Sequence, residues 1–372
     1  MALINKEIKV PNKKLNILIT GSNGFIGKNL VLRLRQLNKF NLMFFNRDDK
    51  IDTLPSLISQ TDILIHLAGV NRPKDQTQFT EINEVFSVNI CNLIFHEYKS
   101  SGRKINIIFA SSTQAELKNP YGVSKLAAEN AFQKLAFNTG NSVNIFRLPG
   151  VYGKWCKPNY NSVVATFCYN IANNFLISIN DPNIALNLVY IEDVVSDFIS
   201  IIENPKSSFF VEIVPKYTIT LKQLAEEIYS FNLHRTLFKN KQLEDSFIFS
   251  LYSTYLSYLP TDNFSYSIIK YKNDFILFSE MMKKSYLGNF LLFYLDAGKI
   301  YSDIVHNNTI KKFLLIKGEV FFCFRHLLTN ETVKLKVTST KPAVVDIIPG
   351  WEYEIINIGN SQIEAFLWIK NR

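Results

Sequence analysis

The 372-residue sequence has only four cysteines, Cys91, Cys156, Cys168 and Cys323, and no paired spacing links any of them. That argues against a disulfide framework and points to reduced thiols in a cytoplasmic protein. Long apolar runs are missing as well. "NFLLFYL" stops at Asp296, and Lys317, Gly318 and Glu319 interrupt "FLLIKGEVFFCF", so no stretch reaches the roughly 18 residues of a spanning helix. The opening "MALINKEIKVPNKK" is polar and leads into a strand, which is not the pattern of a signal peptide. No basic run exceeds two residues, although the net charge is +9. Dispersed lysines and arginines read as a solvated surface, so neither nucleic acid nor membrane is an expected partner. Internal repeats and low-complexity segments are absent.

With 47% hydrophobic residues, the chain can bury real cores, and its length predicts two domains. The first half alternates buried-strand runs with helical patterns. "LNILIT" (15–20), "NLMFFN" (41–46), "DILIHLA" (62–68) and "INIIFASS" (105–112) are the strands, with helices over 28–37 and 81–100. Such alternation predicts an α/β parallel sheet wound with helices on both faces. Beyond Lys270 the texture becomes short β-rich runs: "GNFLLFYLDAG", "KKFLLIKGEVFFCFR", "ETVKLKVTS", "PAVVDII" and "IEAFLWIK". Closely spaced crossing strands predict an all-β barrel or sandwich. The boundary falls near Tyr258–Ser265, where Pro, Asp, Asn and Ser cluster, giving domains over 1–258 and 266–372.

"GSNGFIG" places Gly21, Gly24 and Gly27 directly after the first strand and at the mouth of the first helix. Glycines there permit a tight turn and let the backbone approach a pyrophosphate resting on the helix N-terminus. Asn23, Phe25 and Ile26 belong to the same cofactor-binding loop. The spacing alone is a weak signal, but its position between strand and helix strengthens it. The second strand ends in "NRDD", where Arg47 offers a positive fork to a 2′-phosphate and so favours NADPH; Asp48 follows immediately and tempers that preference.

In "ASSTQAELKNPYGVSK", Tyr121 and Lys125 are four apart and share one face of a helix. A lone pair at this spacing is ordinarily a solvated helix face. Behind a dinucleotide loop, with Ser112 ending the strand between, it reads as a proton donor whose pKa a neighbouring ammonium brings toward working pH. Ser112 can hold a carbonyl oxygen beside the phenol. His66 ends a buried strand and reads as structural; His96, His234 and His326 lack partner patterns.

The set "GSNGFIG", Ser112, "YGVSK" and "RLPGVYG" resembles the extended short-chain dehydrogenase/reductase family of nucleotide-sugar enzymes. With "HLAGVNRP", "GKWCKPNYNSVVATFCY" and "LYSTYLSYLP", it is similar to the members that make UDP-N-acetyl-L-fucosamine for capsule or O-antigen polysaccharide. The resemblance covers nearly the whole chain. It implies a Rossmann reductase domain joined to a C-terminal cupin of jelly-roll type, NADPH as cofactor, a 4-keto UDP-sugar as substrate and a homodimer. The implied cofactor set adds Leu67, Ala68, Gly69, Pro149, Tyr121 and Lys125 to the glycine loop. Asn71, Arg72, Thr113, Lys154, Trp155, Lys157, Tyr160 and Asn161 form the expected substrate set. In it, Lys154 and Lys157 would meet the diphosphate, while Trp155, Tyr160 and Asn161 would stack on or hydrogen-bond the uracil and sugar. A dehydratase of this fold wants an Asp-Glu pair where this chain has Thr113-Gln114. An NAD-retaining 4-epimerase and a non-catalytic dinucleotide-binding scaffold stay open as alternatives.

Metal-binding cupins resemble G-x5-H-x-H-x4-E-x6-G followed by a glycine, histidine and asparagine. This chain keeps Gly298, Gly318, Gly350 and Asn357, but the four ligand positions read Ile304, His306, Lys311 and Tyr353. One histidine cannot supply the about three protein ligands of a catalytic metal, so no metal is expected. The Asp-Arg-Gly stretch of related epimerase cupins is replaced by "NDFILF" (273–278), which removes its arginine as well. A metal-independent acid–base role for His306 is the rival reading.

Overall fold

The computed structural model describes residues 14–205, 209–235, 243–267, 288–303 and 308–372. Two compact units divide the chain: 1–149 with 193–215, and 150–192 with 216–372.

The first unit is built on β1 (Asn16–Thr20), β2 (Asn41–Phe45), β3 (Ile63–His66), β4 (Asn106–Ser112) and β5 (Val143–Leu148). They form one parallel sheet in the order β2-β1-β3-β4-β5. Ile17–Ile19, Ile63–Ile65 and Ile107–Phe109 are almost fully buried, which explains the continuous apolar runs. Each such side chain contributes about 1.5–3 kcal/mol relative to exposure. Because β2 lies on one side of β1 and β3 on the other, the strand order reverses at β1. Ligands of open α/β sheets bind outside the strand ends at such a reversal.

The helices of this unit include α1 (Phe25–Leu37), α2 (Leu54–Gln60), α3 (Phe86–Ser101) and α4 (Pro120–Thr139). The helix expected from Glu81 opens instead as a π-helical stretch, Phe79–Val85, running into α3. Asn83 explains the distortion: its side chain bonds both the N–H and the carbonyl of Val70, 2.8 and 3.0 Å away. Asn119 caps α4 by accepting from Gly122 N, 2.8 Å away, with Pro120 in the first turn.

In the second unit, β6 (Gly150–Tyr152), β7 (Ala185–Tyr190) and β8 (Tyr217–Thr220) form a three-stranded sheet. Helices α5 (Val163–Ala172), α7 (Leu221–His234) and α8 (Ser246–Leu256) belong with it, whereas most of α6 (Ile191–Glu203) belongs to the first unit. The remainder is all β. Strands β9 (Ser265–Ser267), β10 (Asn289–Leu295), β12 (Thr309–Lys317), β15 (Ala343–Ile347) and β17 (Ile363–Asn371) make one antiparallel sheet, β10-β17-β12-β15-β9. A second, β11-β16-β13-β14, contains β11 (Ile300–Asp303), β13 (Glu319–His326), β14 (Thr332–Thr338) and β16 (Trp351–Asn357). Aromatic side chains fill the space between the two, with the Phe313 and Phe322 rings 5.0 Å apart edge to face. All five β-rich runs read from the sequence became strands. β9, β11 and β16 were missed, although "WEYEIIN" alternates as a half-buried strand should. Tyr258–Ser265 runs from the end of α8 into β9, which pairs with β15.

Candidate active site

The strand ends at the reversal form the candidate cofactor cradle. Gly21 has φ 71, and a Cβ there would stand 2.8 Å from Ala68 Cα, so the ends of β1 and β3 approach as only glycine allows. A Cβ on Gly27 would stand 2.5 Å from Gly21 O, so this glycine lets α1 begin tight against the loop. No acidic residue occupies the first turn of α1, leaving its amide end open to an anion. Beyond β2, Asn46 Oδ1 accepts from Ser22 Oγ at 3.0 Å and Asn23 N at 3.2 Å, while Asp49 Oδ2 accepts from Asn46 N at 2.7 Å. The residue after β2 is thus a neutral amide spent on shaping the loop, and Arg47 beside it is exposed. This donor set fits a dinucleotide diphosphate.

Behind the cradle lies a chain of buried polar groups. Ser87 donates to Asn83 O at 2.6 Å and so accepts from His66 Nε2, 3.0 Å away. That tautomer leaves His66 Nδ1 to accept from Thr20 Oγ1 at 2.7 Å, and Thr20 in turn accepts from Ala68 N at 3.3 Å. Burial, and secondarily the Lys125 charge, pull the His66 pKa down to about 3, so the ring stays neutral. His66 is a structural brace for the Leu67-Ala68-Gly69 turn.

The candidate catalytic residues lie where β4 meets α4. Ser112 ends β4 and is buried, with its Oγ accepting from Gln114 N at 3.2 Å. Tyr121 stands one residue inside α4; burial raises its pKa and a hydrogen bond with Ser112 partly offsets that. The phenol thus lies above its ordinary value, not below it as the Lys125 spacing led one to expect. Lys125 Nζ instead donates to Ala110 O at 2.7 Å and lies 4.6 Å from the centre of the Phe109 ring. Desolvation lowers the Lys125 pKa to about 8, against the opposing pull of Glu129. A Cβ on Gly69 would stand 3.8 Å from that ammonium, which brings Lys125 to the mouth of the cradle.

Sequence reasoning missed the support beneath Lys125. Glu129, one turn further along α4, is fully buried; it accepts from Ser111 Oγ at 2.5 Å and from Arg147 Nε at 3.0 Å and Nη2 at 2.6 Å. Its four-residue spacing from Lys125 was the available signal. Asn83 had none: besides holding Val70, it donates to Ser124 Oγ at 3.0 Å, tying the loop after β3 to α4.

Among the expected substrate residues, Asn71, Arg72 and Thr113 are exposed in the first unit, and Lys157, Tyr160 and Asn161 are exposed in the second. Lys157 Nζ lies 5.4 Å from the centre of the Tyr160 ring. Lys154 differs from the expectation. It is 2% exposed and its ammonium is paired with buried Glu192, so the charge expected for a diphosphate is already matched within the protein. Trp155 turns its indole toward Gly350 and His326.

In the barrel, Ile304, His306 and the 273–278 stretch lie outside the described residues. Lys311 and Tyr353 converge on Asp303: Lys311 Nζ is 2.6 Å from its Oδ2, and the Tyr301 and Tyr353 hydroxyls donate to it at 3.2 and 3.4 Å. An ammonium already neutralises the one carboxylate of this cluster, and burial beside that carboxylate pushes the Tyr353 phenol up, away from a ligating phenolate. These groups do not fit a divalent ion.

The chain belongs to the NAD dependent epimerase/dehydratase family, whose pattern matches residues 17–212; residues 274–372 match a polysaccharide biosynthesis C-terminal domain. It is 38% identical to the UDP-2-acetamido-2,6-beta-L-arabino-hexul-4-ose reductase of Pseudomonas aeruginosa, over 95% of this chain and 94% of that one. The crystal structure of the capsular polysaccharide assembling protein CapF from Staphylococcus aureus is similar at 33% identity with a TM-score of 0.63, covering 96% of each chain. The dTDP-4-dehydro-6-deoxyglucose reductase of Escherichia coli is 26% identical over 60% of this chain and 83% of its own.

Proposed function

We propose that this protein is an NADPH-dependent reductase of a UDP-2-acetamido-2,6-dideoxy-hexos-4-ulose in nucleotide-sugar synthesis for capsule or O-antigen polysaccharide. The observation that carries it is the hydrogen bond between Tyr121 and Ser112, with Lys125, one turn along α4, reaching the Gly69 turn. The likeness to a reductase of such a 4-keto sugar over nearly the whole chain supports the substrate class.

When bound, NADPH supplies hydride to the carbonyl carbon. The rest is work for this chain's side chains. Ser112 Oγ orients the carbonyl oxygen. Tyr121, kept neutral by burial, donates its phenolic proton to that oxygen as alkoxide charge develops, and recovers a proton from solvent afterwards. A reductase needs this tyrosine protonated, so a raised pKa suits the direction of reaction. Lys125 opposes the transient phenolate with its ammonium and holds the nicotinamide ribose. Gly21, Asn23, Gly24, Phe25, Ile26, Gly27, Leu67, Ala68, Gly69 and Pro149 form the dinucleotide site, with Arg47 at the 2′-phosphate. Asn71, Arg72, Thr113, Lys157, Tyr160 and Asn161 receive the UDP-sugar, with Lys154 and Trp155 shaping their loop. Residues 1–258 form the reductase and 266–372 a metal-free barrel without 3-epimerase activity, in a cytoplasmic homodimer. Among the described residues, no helix is long and apolar enough to cross a membrane.

Purified protein incubated with candidate UDP-4-keto sugars and NADPH, with products identified by NMR, tests the reading. Stoichiometric NADPH oxidation with a 4-hydroxy product is expected. A C4-epimerised sugar formed without net cofactor consumption, or no turnover of any keto sugar, would overturn it.

A further inference from the structure

A barrel whose polar cluster is closed by its own lysine still has to be accounted for, and the loop 153–161 bears on why it is kept. Trp155 has φ 67, a left-handed conformation rare for a bulky residue, and its buried Nε1 finds no acceptor among the described residues. Both features are unfavourable and persist only where the surroundings over-determine them. Those surroundings belong largely to the barrel. Gly350, at the turn into β16, has φ 91, and a Cβ there would stand 2.7 Å from Trp155 Nε1 and 3.1 Å from its Cε2. His326, at the end of β13, meets the indole edge to face at 6.2 Å and Trp351 at 4.9 Å. On the loop side, Lys154 Nζ lies 5.0 Å from the centre of the indole while paired with Glu192, and Tyr258 donates to Cys156 O at 2.5 Å.

The barrel is also tied to β8, α8 and the end of α7. Asp346 on β15, with 0% exposure, accepts from Lys312 Nζ at 2.5 Å and from Arg235 Nε, just beyond α7, at 2.7 Å. At the other end, Arg372 donates to Ser246 Oγ and Tyr217 Oη, each at 2.8 Å. The loop meets this braced barrel through Trp155, against Gly350 and His326.

We infer that the barrel is a positioning element for the nucleotide-sugar loop, with Trp155 seated against Gly350 as the joint that sets where Lys157 and Tyr160 present themselves to a uridine diphosphate sugar. The inference rests on the proposed reading of that loop as substrate-binding. Gly350→Ala drives a methyl into the indole, and Trp155→Ala empties the seat. Each should raise KM for the UDP-sugar about tenfold or more, the scale expected when a positioning group is displaced. Turnover at saturating sugar and NADPH affinity should stay within about twofold, the signature of lost binding rather than lost chemistry. Trp155→Phe, which keeps an aromatic ring in the seat but loses the pyrrole ring with its Nε1, should raise KM less than Trp155→Ala does. Lys157→Ala and Tyr160→Ala test the loop reading by itself. A raised KM in these two with a wild-type KM in both joint variants overturns the inference; no change in the two direct loop variants overturns the loop reading instead. Loss of NADPH affinity in folded Trp155→Ala, judged by far-ultraviolet circular dichroism, would mark a general structural role and also overturn the inference. Trp155→Ala introduces no clash, so it keeps the test open should Gly350→Ala fail to fold.

Discussion

Tyr121 and Lys125 sit four residues apart on one helix, yet burial treats them oppositely, raising the phenol's pKa and lowering the ammonium's. At neutral pH both are protonated, the state that reduction requires. Tyr121→Phe keeps the ring and removes the proton, so turnover should fall by about 10²–10⁴-fold, the usual worth of a positioned acid, with NADPH binding nearly unchanged. Rates measured with saturating cofactor check this, and wild-type turnover would remove Tyr121 from the mechanism. The ammonium of Lys125 is present below its pKa of about 8 and is lost as pH rises through it. The profile of kcat/KM should therefore fall on the alkaline side near pH 8. Glu129 favours the charged lysine, so Glu129→Gln should move that fall to lower pH. A limb that stays in place would show that Glu129 only packs against Ser111 and Arg147.

At the scale of elements, β1 to β4, α1 and most of α3 were readable because each is encoded by its own run, whereas β5 and α2 were not read. β1, β3 and β4 carry near-continuous aliphatic stretches, and α1 opens on glycine. The π-helical start at Phe79–Val85 was not readable. It follows from Asn83 reaching back to Val70, a contact between segments. The end of β2 carries the cofactor prediction. With Asn46 occupied by the glycine loop, Arg47 is the exposed cation there. Arg47→Ala should weaken NADPH binding much more than NADH binding, because only NADPH has the 2′-phosphate. Titration of both cofactors by fluorescence checks it; an equal loss for both would reopen the epimerase reading.

At the scale of the molecule, the all-β region has left-handed glycines at 298, 318 and 350 and presents Lys311, Asp303 and two tyrosines to one another. Protein purified without chelators should carry no stoichiometric zinc by elemental analysis. In heavy water, carbon 3 of the keto sugar should not exchange its hydrogen. Bound zinc, or exchange abolished by His306→Ala, would restore a catalytic barrel. Asp346 poses a separate question of stability. Asp346→Ala leaves Lys312 and Arg235 as buried cations without their carboxylate, and should cost about 3–5 kcal/mol in denaturant unfolding. Replacement by Asn, which still accepts hydrogen bonds, should cost less.

The sequence by itself determined whatever a single segment can encode: alternating strand and helix, the glycine turn and the Tyr121–Lys125 spacing. Those signals are local because propensity and periodicity act over one or two turns. Only the tertiary structure decided which charges are already matched. Lys154 looked free in the sequence and is paired with Glu192, 38 positions away, while Lys125 looked like the simple activator of Tyr121 and is itself held between Ala110 O and the field of Glu129. Trp155 read as a group for stacking on a ligand, yet it rests on Gly350 from the far end of the chain. Burial and pairing are properties of what surrounds a side chain, and those surroundings come together only when distant segments pack.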